Sequence, residues 1–329
     1  MLILSRSDLQ RLTDIDATRT ALRDVLSRQG QDAYTVTPNV LRLEGDDAAY
    51  IPMLGADLRS NLVTSKTLTD RPSNARNGRP SQVSAITVID RESGFIKAIL
   101  HGEIPTRIRT AGVSAVATDA LAKENASRLG LVGAGALAIE HARAIQRVRP
   151  LEIITVWSRT KASVDNFRST LESLWDGVVP TITVASSPEE VVRESDIVCT
   201  LTPSVTPIVR GAWLSTGHHL NVVGARPRPT DREVDAEAFR RSRVYIDHYE
   251  TVTHESGDYL LATADDGSLP EIVAELSSVL RGEAPGRLDD QEITLYNSVG
   301  TGLQDTAIVD VILRAAIAAN IGTEVALDA

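Results

Sequence analysis

Residues 129–138 read L-G-L-V-G-A-G-A-L-A, an apolar run that breaks on glycine and resumes as small residues at helical spacing. Taken as strand, turn and helix start, the stretch supplies Gly133-x-Gly135-x-x-Ala138, the turn of a dinucleotide-binding βα unit. Gly133 permits the tight turn and Gly135 lets a pyrophosphate approach the backbone. Ala138 stands where a third glycine would let helix and strand pack closely. The free N–H groups at Ala136 and Leu137, with the positive end of the helix dipole, favour phosphate. The next apolar run, residues 153–161, is I-I-T-V-W-S-R-T-K. An NAD site would place an acid at that strand end, to accept from the ribose 2′-OH. Here the positions hold Ser158, Arg159, Thr160 and Lys161. An acid would repel a 2′-phosphate, whereas Arg159 can pair with it and the others add donors or charge. The expected cofactor is therefore NADP(H), in preference to NAD(H).

Working outward, strand patterns at 128–132, 152–157, 179–184, 196–200 and 219–223 alternate with helical ones at 136–148, 161–174 and 188–194. That alternation predicts βαβ units and a parallel sheet. A last strand is expected at 244–247. Thr200 and Thr202, with Val223 and Gly224, end two of these strands and are expected to border the cofactor. The N-terminal part reads differently. Leu9, Leu12, Ile15, Ala17, Leu22 and Val25 predict a helix over 7–29, with Asp14 or Asp16 capping a second turn. Short strands follow at 34–36, 41–43, 50–53 and 62–68, then a hairpin of 84–90 and 95–100 around R-E-S-G, where Gly94 takes positive φ. A small-residue helix is expected at 111–122 and an apolar one at 306–319, which returns to the first domain. The fold class is α/β. A Rossmann-type parallel-sheet domain (113–301) accompanies a mixed α+β domain for substrate and dimerisation, formed from 1–112 and 302–329.

The bulk numbers narrow the function classes. With 329 residues and a formal net charge of −10, two cores are affordable and a nucleic-acid surface is not expected. Cys199, the one cysteine, sits in the apolar run D-I-V-C-T-L-T and reads as an inert thiol, so no disulfide or cysteine zinc site is expected. No apolar stretch is long enough for a membrane span, and M-L-I-L is too short for a signal peptide, so a cytoplasmic protein is expected. No metal site is expected. His218 and His219 are adjacent and face opposite sides of an extended segment. His141 reads as packing on the cofactor helix, and His248 and His254 as loop residues without an evident partner.

Four further stretches carry a resemblance, in order along the chain. They are Val63-Thr64-Ser65-Lys66-(x)5-Pro72, Thr106-Arg107-Ile108-Arg109-Thr110-Ala111, the W-S-R-T strand end, and Asn297-Ser298-Val299-Gly300-Thr301-Gly302-Leu303-Gln304-Asp305. Together they resemble the ornithine cyclodeaminase/mu-crystallin family over nearly the whole chain. The resemblance implies a homodimer whose substrate is a small α-amino or α-imino acid. It also implies that Arg109 and Lys66 hold the substrate carboxylate and form the catalytic pair, with Thr110 and Gly300 beside the cofactor. The chemistry agrees, since a guanidinium grips a carboxylate bidentately and a desolvated lysine adds charge or exchanges a proton. Asp305 is read as a cap for the last helix.

Two departures from the family pattern bear on function. An early P-x-R is replaced by Pro38-Asn39-Val40, and Arg42, two residues on, is a candidate substitute in the carboxylate clamp. The cyclodeaminase G-x-D is replaced by Gly224-Ala225-Arg226. A cation there disfavours a second amine and suits a second carboxylate, so Arg226 is a substrate-binding candidate; Asp231 is the alternative that restores the acid. The expected activity is NADPH-dependent reduction of an α-imino acid, cyclic or linear, reversible as amino-acid dehydrogenation. The alternatives are ornithine-type NAD-dependent cyclising deamination and a non-catalytic NADP-binding sensor or partner-binding dimer.

Overall fold

The computed structural model describes residues 1–263 and 267–326. The chain opens with β1 (Leu2–Leu4), α1 (Arg6–Leu12) and α2 (Ile15–Ser27). The strands β2 (Ala33–Val36), β3 (Leu41–Arg42), β4 (Ala49–Asp57), β5 (Leu62–Asp70), β6 (Gln82–Asp90) and β7 (Ile96–His101) follow. Next come α3 (Glu103–Leu121), β8 (Arg128–Val132), α4 (Ala136–Ile145), β9 (Ile153–Trp157), α5 (Lys161–Leu174), β10 (Thr181–Val184), α6 (Pro188–Arg193), β11 (Ile197–Thr200) and β12 (His219–Val222). Then α7 (Ala236–Arg240), β13 (Arg243–Ile246), α8 (Tyr249–Glu255), α9 (Gly257–Leu260), β14 (Ile272–Glu275), α10 (Leu276–Leu280) and β15 (Thr294–Asn297) lead to α11 (Gly302–Ala319) and β16 (Thr323–Glu324). Unit 1 comprises Met1–Thr110 and the chain from Gly300 on; unit 2 is Ala111–Val299.

In unit 1 the strands run β16-β1-β7-β6-β5-β4-β2, with β3 on β4. All pairs are antiparallel except β1–β7. In β5 burial alternates, so Leu62, Thr64, Lys66 and Leu68 share the covered face. There α11 crosses the sheet closely enough that a Cβ on Gly55 or Gly302 would fall inside the other's backbone. Leu4, Leu9, Ile86, Leu100, Ile308 and Ile312 belong to the core of this unit.

Unit 2 is an all-parallel sheet in the order β10-β9-β8-β11-β12-β15-β13-β14. Its central strands β11 and β12 are buried throughout, as strands covered on both faces are. The sequence order reverses between β8 and β11, which makes the carboxyl ends of those two strands the switch point where α/β sheets bind ligands.

Several element expectations are corrected. The helix expected over 7–29 is two helices. The Asp14 side chain accepts from the Ala17 N–H as the cap of α2, and its extended backbone ends the preceding helix. The small-residue helix begins at Glu103 rather than 111, because Pro105 falls in the first turn, where its missing N–H costs nothing. The last helix begins at Gly302 rather than 306, admitted by the close approach to Gly55. The strand at 244–247 is not the last: β14 and β15 follow, and β15 inserts between β12 and β13.

Candidate active site

In unit 1 the inward register of β5 buries Lys66 completely. A buried ammonium needs an anion, and the first turns of α11 deliver Asp305. Lys66 Nζ lies 2.8 Å from Asp305 Oδ2 and 3.5 Å from Thr106 Oγ1. From α3, Arg109 Nε donates to Asp305 Oδ1 at 3.0 Å and Nη1 donates to Gln304 Oε1 at 2.6 Å. Among the described residues Nη2 donates to no protein acceptor. Gly300, with φ 82°, makes room for the guanidinium, since a Cβ there would stand 2.5 Å from Nη1. The Thr64–Thr306 hydroxyl pair, 2.7 Å apart, fixes the register of helix on sheet.

This cluster holds Lys66 and Arg109 against the single carboxylate of Asp305, an excess of one positive charge under burial. Desolvation, opposed by Asp305 and aided by repulsion from Arg109, brings Lys66 down to about 8. Such a group takes an anion readily and carries a labile proton near neutrality.

In unit 2, Gly133 turns with φ 116° so tightly that a Cβ would stand 2.7 Å from the Leu201 carbonyl oxygen. Gly135 opens α4 and faces open space, and no side chain caps that helix. The N–H groups of Ala136 and Leu137 are thus presented to a ligand. Beside them lies a cavity of about 260 Å³, lined among others by Gly133, Gly135, Ser158, Arg159, Thr202 and Ser204. Among the described residues its wall contains the cation Arg159 and no acid. The turn, the uncapped helix start and the cavity fit a dinucleotide.

The other expected residues take varied positions. The Thr160 hydroxyl caps α5, and Lys161 is exposed and pairs with Asp165 at 2.6 Å, so Ser158 and Arg159 are the members of that strand end that line the cavity. Thr110 Oγ1 donates to the Thr106 carbonyl at 2.6 Å. Thr200, Thr202 and Gly224 all donate to Glu233, and of the three Thr202 also lines the cavity beside Gly133; Val223 lines a separate small cavity with Arg226. Arg42 shares the sheet face of Lys66, by the registers Arg42↔Ala49 and Ala49↔Asp70, but is exposed and outside the Lys66 cluster. Arg226 Nε donates to Asp231 Oδ2 at 2.9 Å, so the cation and its alternative acid are one ion pair. Asp305 does not cap α11; Thr301 holds that position, and the Asp305 carboxylate binds two cations. His141 is buried and neutral, held down at about 4, with Nδ1–H donating to the Leu137 carbonyl and Nε2 facing Ser114 Oγ. Burial pushes the Cys199 thiol up to about 12.

The sequence model of the ornithine cyclodeaminase/mu-crystallin family matches residues 1–320. The chain belongs to this family. The mouse ketimine reductase mu-crystallin is 32% identical over 243 residues, 74% of this chain and 72% of that protein. The Delta(1)-pyrroline-2-carboxylate reductase of Colwellia psychrerythraea is 31% identical over 278 residues, covering 84% and 85%. The solved Delta(1)-pyrroline-2-carboxylate reductase of Thermococcus litoralis, in complex with NADH and L-proline, superposes with TM-score 0.94 at 28% identity over 99% of this chain and 100% of that one. Among the described residues no group of three His, Cys, Asp or Glu is placed to hold a metal, and no helix is long and apolar enough to cross a membrane.

Glu233, Gln304 and the counter-ion role of Asp305 escape a reading of the family motifs. A signal for Asp305 is present in hindsight of the fold, since an inward lysine on a strand demands a buried anion. None exists for Glu233, whose partners lie 9 to 33 residues away.

Proposed function

We propose that this chain reduces α-imino acids, cyclic or linear, to amino acids with NADPH, and catalyses the reverse dehydrogenation. The observation that carries the reading is the buried Lys66–Asp305–Arg109 cluster, whose unmatched positive charge is neutralised by one substrate carboxylate. Arg109 Nη2 is the donor left for it, and Gln304 with Asp305 hold the guanidinium plane, so the α-carbon is oriented rather than merely attracted. The reduced nicotinamide supplies the hydride to the C=N carbon. A protonated imine is already electrophilic, so Lys66 has only to keep the carboxylate in place and share a proton with the nitrogen. In unit 2 the turn at Gly133–Gly135 and the start of α4 would hold the pyrophosphate, and Arg159 the 2′-phosphate.

The test is a panel of five- and six-membered cyclic imine 2-carboxylates, and of keto acids with amines, run with NADPH and NADH side by side. Steady NADPH oxidation is expected. Conversion of ornithine with NAD and no net cofactor change would replace this reading by cyclodeamination. NADPH binding without turnover across the panel would replace it by a sensor or carrier.

The cofactor preference rests on Arg159, and Arg159→Asp is expected to raise the KM for NADPH roughly 10- to 100-fold, with NADH little affected. Equal loss for both nucleotides would remove the 2′-phosphate assignment. The carboxylate grip rests on Lys66 being charged. Because its pKa is lowered to about 8, the charge is present below that pH and lost above it. Inhibition by a simple aliphatic carboxylate, which has no ionisation there, should weaken about tenfold per pH unit above 8. In Lys66→Met this limb should vanish.

A cytoplasmic homodimer is the form proposed. The sheet face opposite α11 carries Tyr34, Val36, Leu54 and Val83, all exposed and brought to one side by strand register. An apolar sheet face of this kind suits a second copy. Sedimentation at twice the chain mass is the expected result.

A further inference from the structure

Glu233 is fully buried and, among the described residues, forms no ion pair, yet it gathers donors from two separate loops. Its Oε1 accepts from the Thr202 backbone N–H at 2.6 Å and the Thr202 hydroxyl at 2.7 Å. Its Oε2 accepts from the Thr200 hydroxyl at 2.6 Å and the Gly224 N–H at 2.7 Å. The backbone carbonyl of the same residue accepts from the N–H groups of Ile208 and Val209 at 2.7 and 3.0 Å. One residue thus pins both ends of the segment 201–208, which supplies Leu201, Thr202, Pro203, Ser204 and Ile208 to the wall of the cavity beside Gly133. Glu233 is itself fixed from below, where Asp258 Oδ1 accepts its N–H at 2.7 Å and that of Val234 at 2.9 Å.

The spacing at the turn leaves little tolerance. A Cβ on Gly133 would stand 2.7 Å from the Leu201 carbonyl oxygen, and one on Gly224 would stand 2.6 Å from the Leu201 carbonyl carbon. The fingerprint turn, the segment after β11 and the segment after β12 are therefore stacked in contact. A shift of Leu201–Thr202 changes the width of the cavity directly. Four donors facing two oxygens also specify a carboxylate, because an amide would turn its NH₂ toward a donor; a hydroxyl can reverse, but the N–H groups of Thr202 and Gly224 cannot.

We propose that Glu233 is a positioning residue for the reduced nucleotide, an acceptor-only anchor that sets the cavity wall formed by 201–208 against the Gly133 turn. The proposal rests on the nicotinamide-dependent reading above and adds a residue that acts on the cofactor without touching it. Glu233→Gln keeps one oxygen and misdirects the other group. The carboxamide therefore faces its NH₂ to the N–H of either Thr202 or Gly224, releases that backbone group, and the cavity widens.

The test compares wild type, Glu233→Gln and Thr200→Val, which deletes one donor without changing shape. Asp235→Ala, which removes the structural cap of α7, is the stability control. NADPH dissociation constants are measured by fluorescence without substrate. KM, kcat and the isotope effect with 4-deuterated NADPH are measured with it. The expected result for Glu233→Gln is NADPH binding weaker by tenfold or more and a larger isotope effect. Thr200→Val should show a smaller change in the same direction, and Asp235→Ala a lowered Tm with neither change. A folded Glu233→Gln with wild-type affinity and isotope effect overturns the proposal. Should that variant not fold, Thr200→Val decides, and wild-type values there overturn it equally. A wild-type chain that binds neither NADPH nor NADH removes the functional reading itself, an outcome distinct from unchanged variants of a chain that binds.

Discussion

Arg109→Met is expected to lower kcat/KM for the imino acid by roughly 10²–10³-fold while the NADPH dissociation constant stays at its wild-type value. The size follows from the charge-assisted hydrogen bonds a guanidinium makes to a carboxylate, about 1.5–3 kcal/mol each, and from the loss of the unmatched charge. Without Arg109, Lys66 and Asp305 form a neutral pair and the cluster no longer calls for an anion. The cavity proposed to hold the pyrophosphate and 2′-phosphate is lined by unit 2 residues, and Arg109 is not among them. A second readout guards the interpretation. Arg109 lowers the Lys66 pKa by like-charge repulsion, so its removal should move the alkaline limb of carboxylate inhibition above pH 8. Arg109→Lys restores charge without the planar fork and should recover only part of the loss. Wild-type kcat/KM in Arg109→Met would remove the carboxylate assignment outright.

Asp305→Asn should have the largest effect on stability. It leaves two buried cations facing each other over a neutral amide, and breaking a buried ion pair on one side costs about 3–5 kcal/mol. For a unit of this size that is a fall in Tm of roughly 10 °C. Part of the cost is relieved by deprotonation, because without Asp305 burial and the neighbouring Arg109 charge both lower the Lys66 pKa. Lys66→Met in the Asp305→Asn background should therefore restore much of the stability, since an apolar group in place of a buried ion is tolerated. Trp157, Trp175 and Trp213 all lie in unit 2, so tryptophan fluorescence would miss the event. Calorimetry, or hydrogen exchange along α11, is the measurement. An Asp305→Asn chain melting within a degree or two of wild type would show that the carboxylate is not the counter-ion described.

The two predictions draw on parts of the molecule that were unequally legible. The βα turn at Gly133–Gly135 could be read directly, because a tight turn, a positive φ and an uncapped helix start are properties of adjacent residues. The strand end at Ser158–Arg159 was readable for the same reason, although the chain uses Thr160 and Lys161 locally, as a cap and an i,i+4 partner. The extent of α3 was not readable, because Thr106, Ile108 and Thr110 are β-branched and Pro105 looks like a helix stop. In the fold, Pro105 falls within the first turn.

Asp305 is a counter-ion where a cap is expected. Four residues after Thr301 it has the look of a residue from a helix start, and its neighbours in sequence contain no cation. Its partners are Arg109, 196 positions away, and Lys66 on β5. The charge balance of a buried cluster is a sum over such distant residues, and no window of sequence contains that sum. Backbone conformation and helix-end chemistry depend on a few consecutive side chains, so the amino-acid order was enough to announce a nucleotide fold and the cations at its strand end. Which carboxylates become counter-ions or anchors depends on sheet register and helix placement, and those exist only once β5, α3 and α11, or the loops around Glu233, have packed.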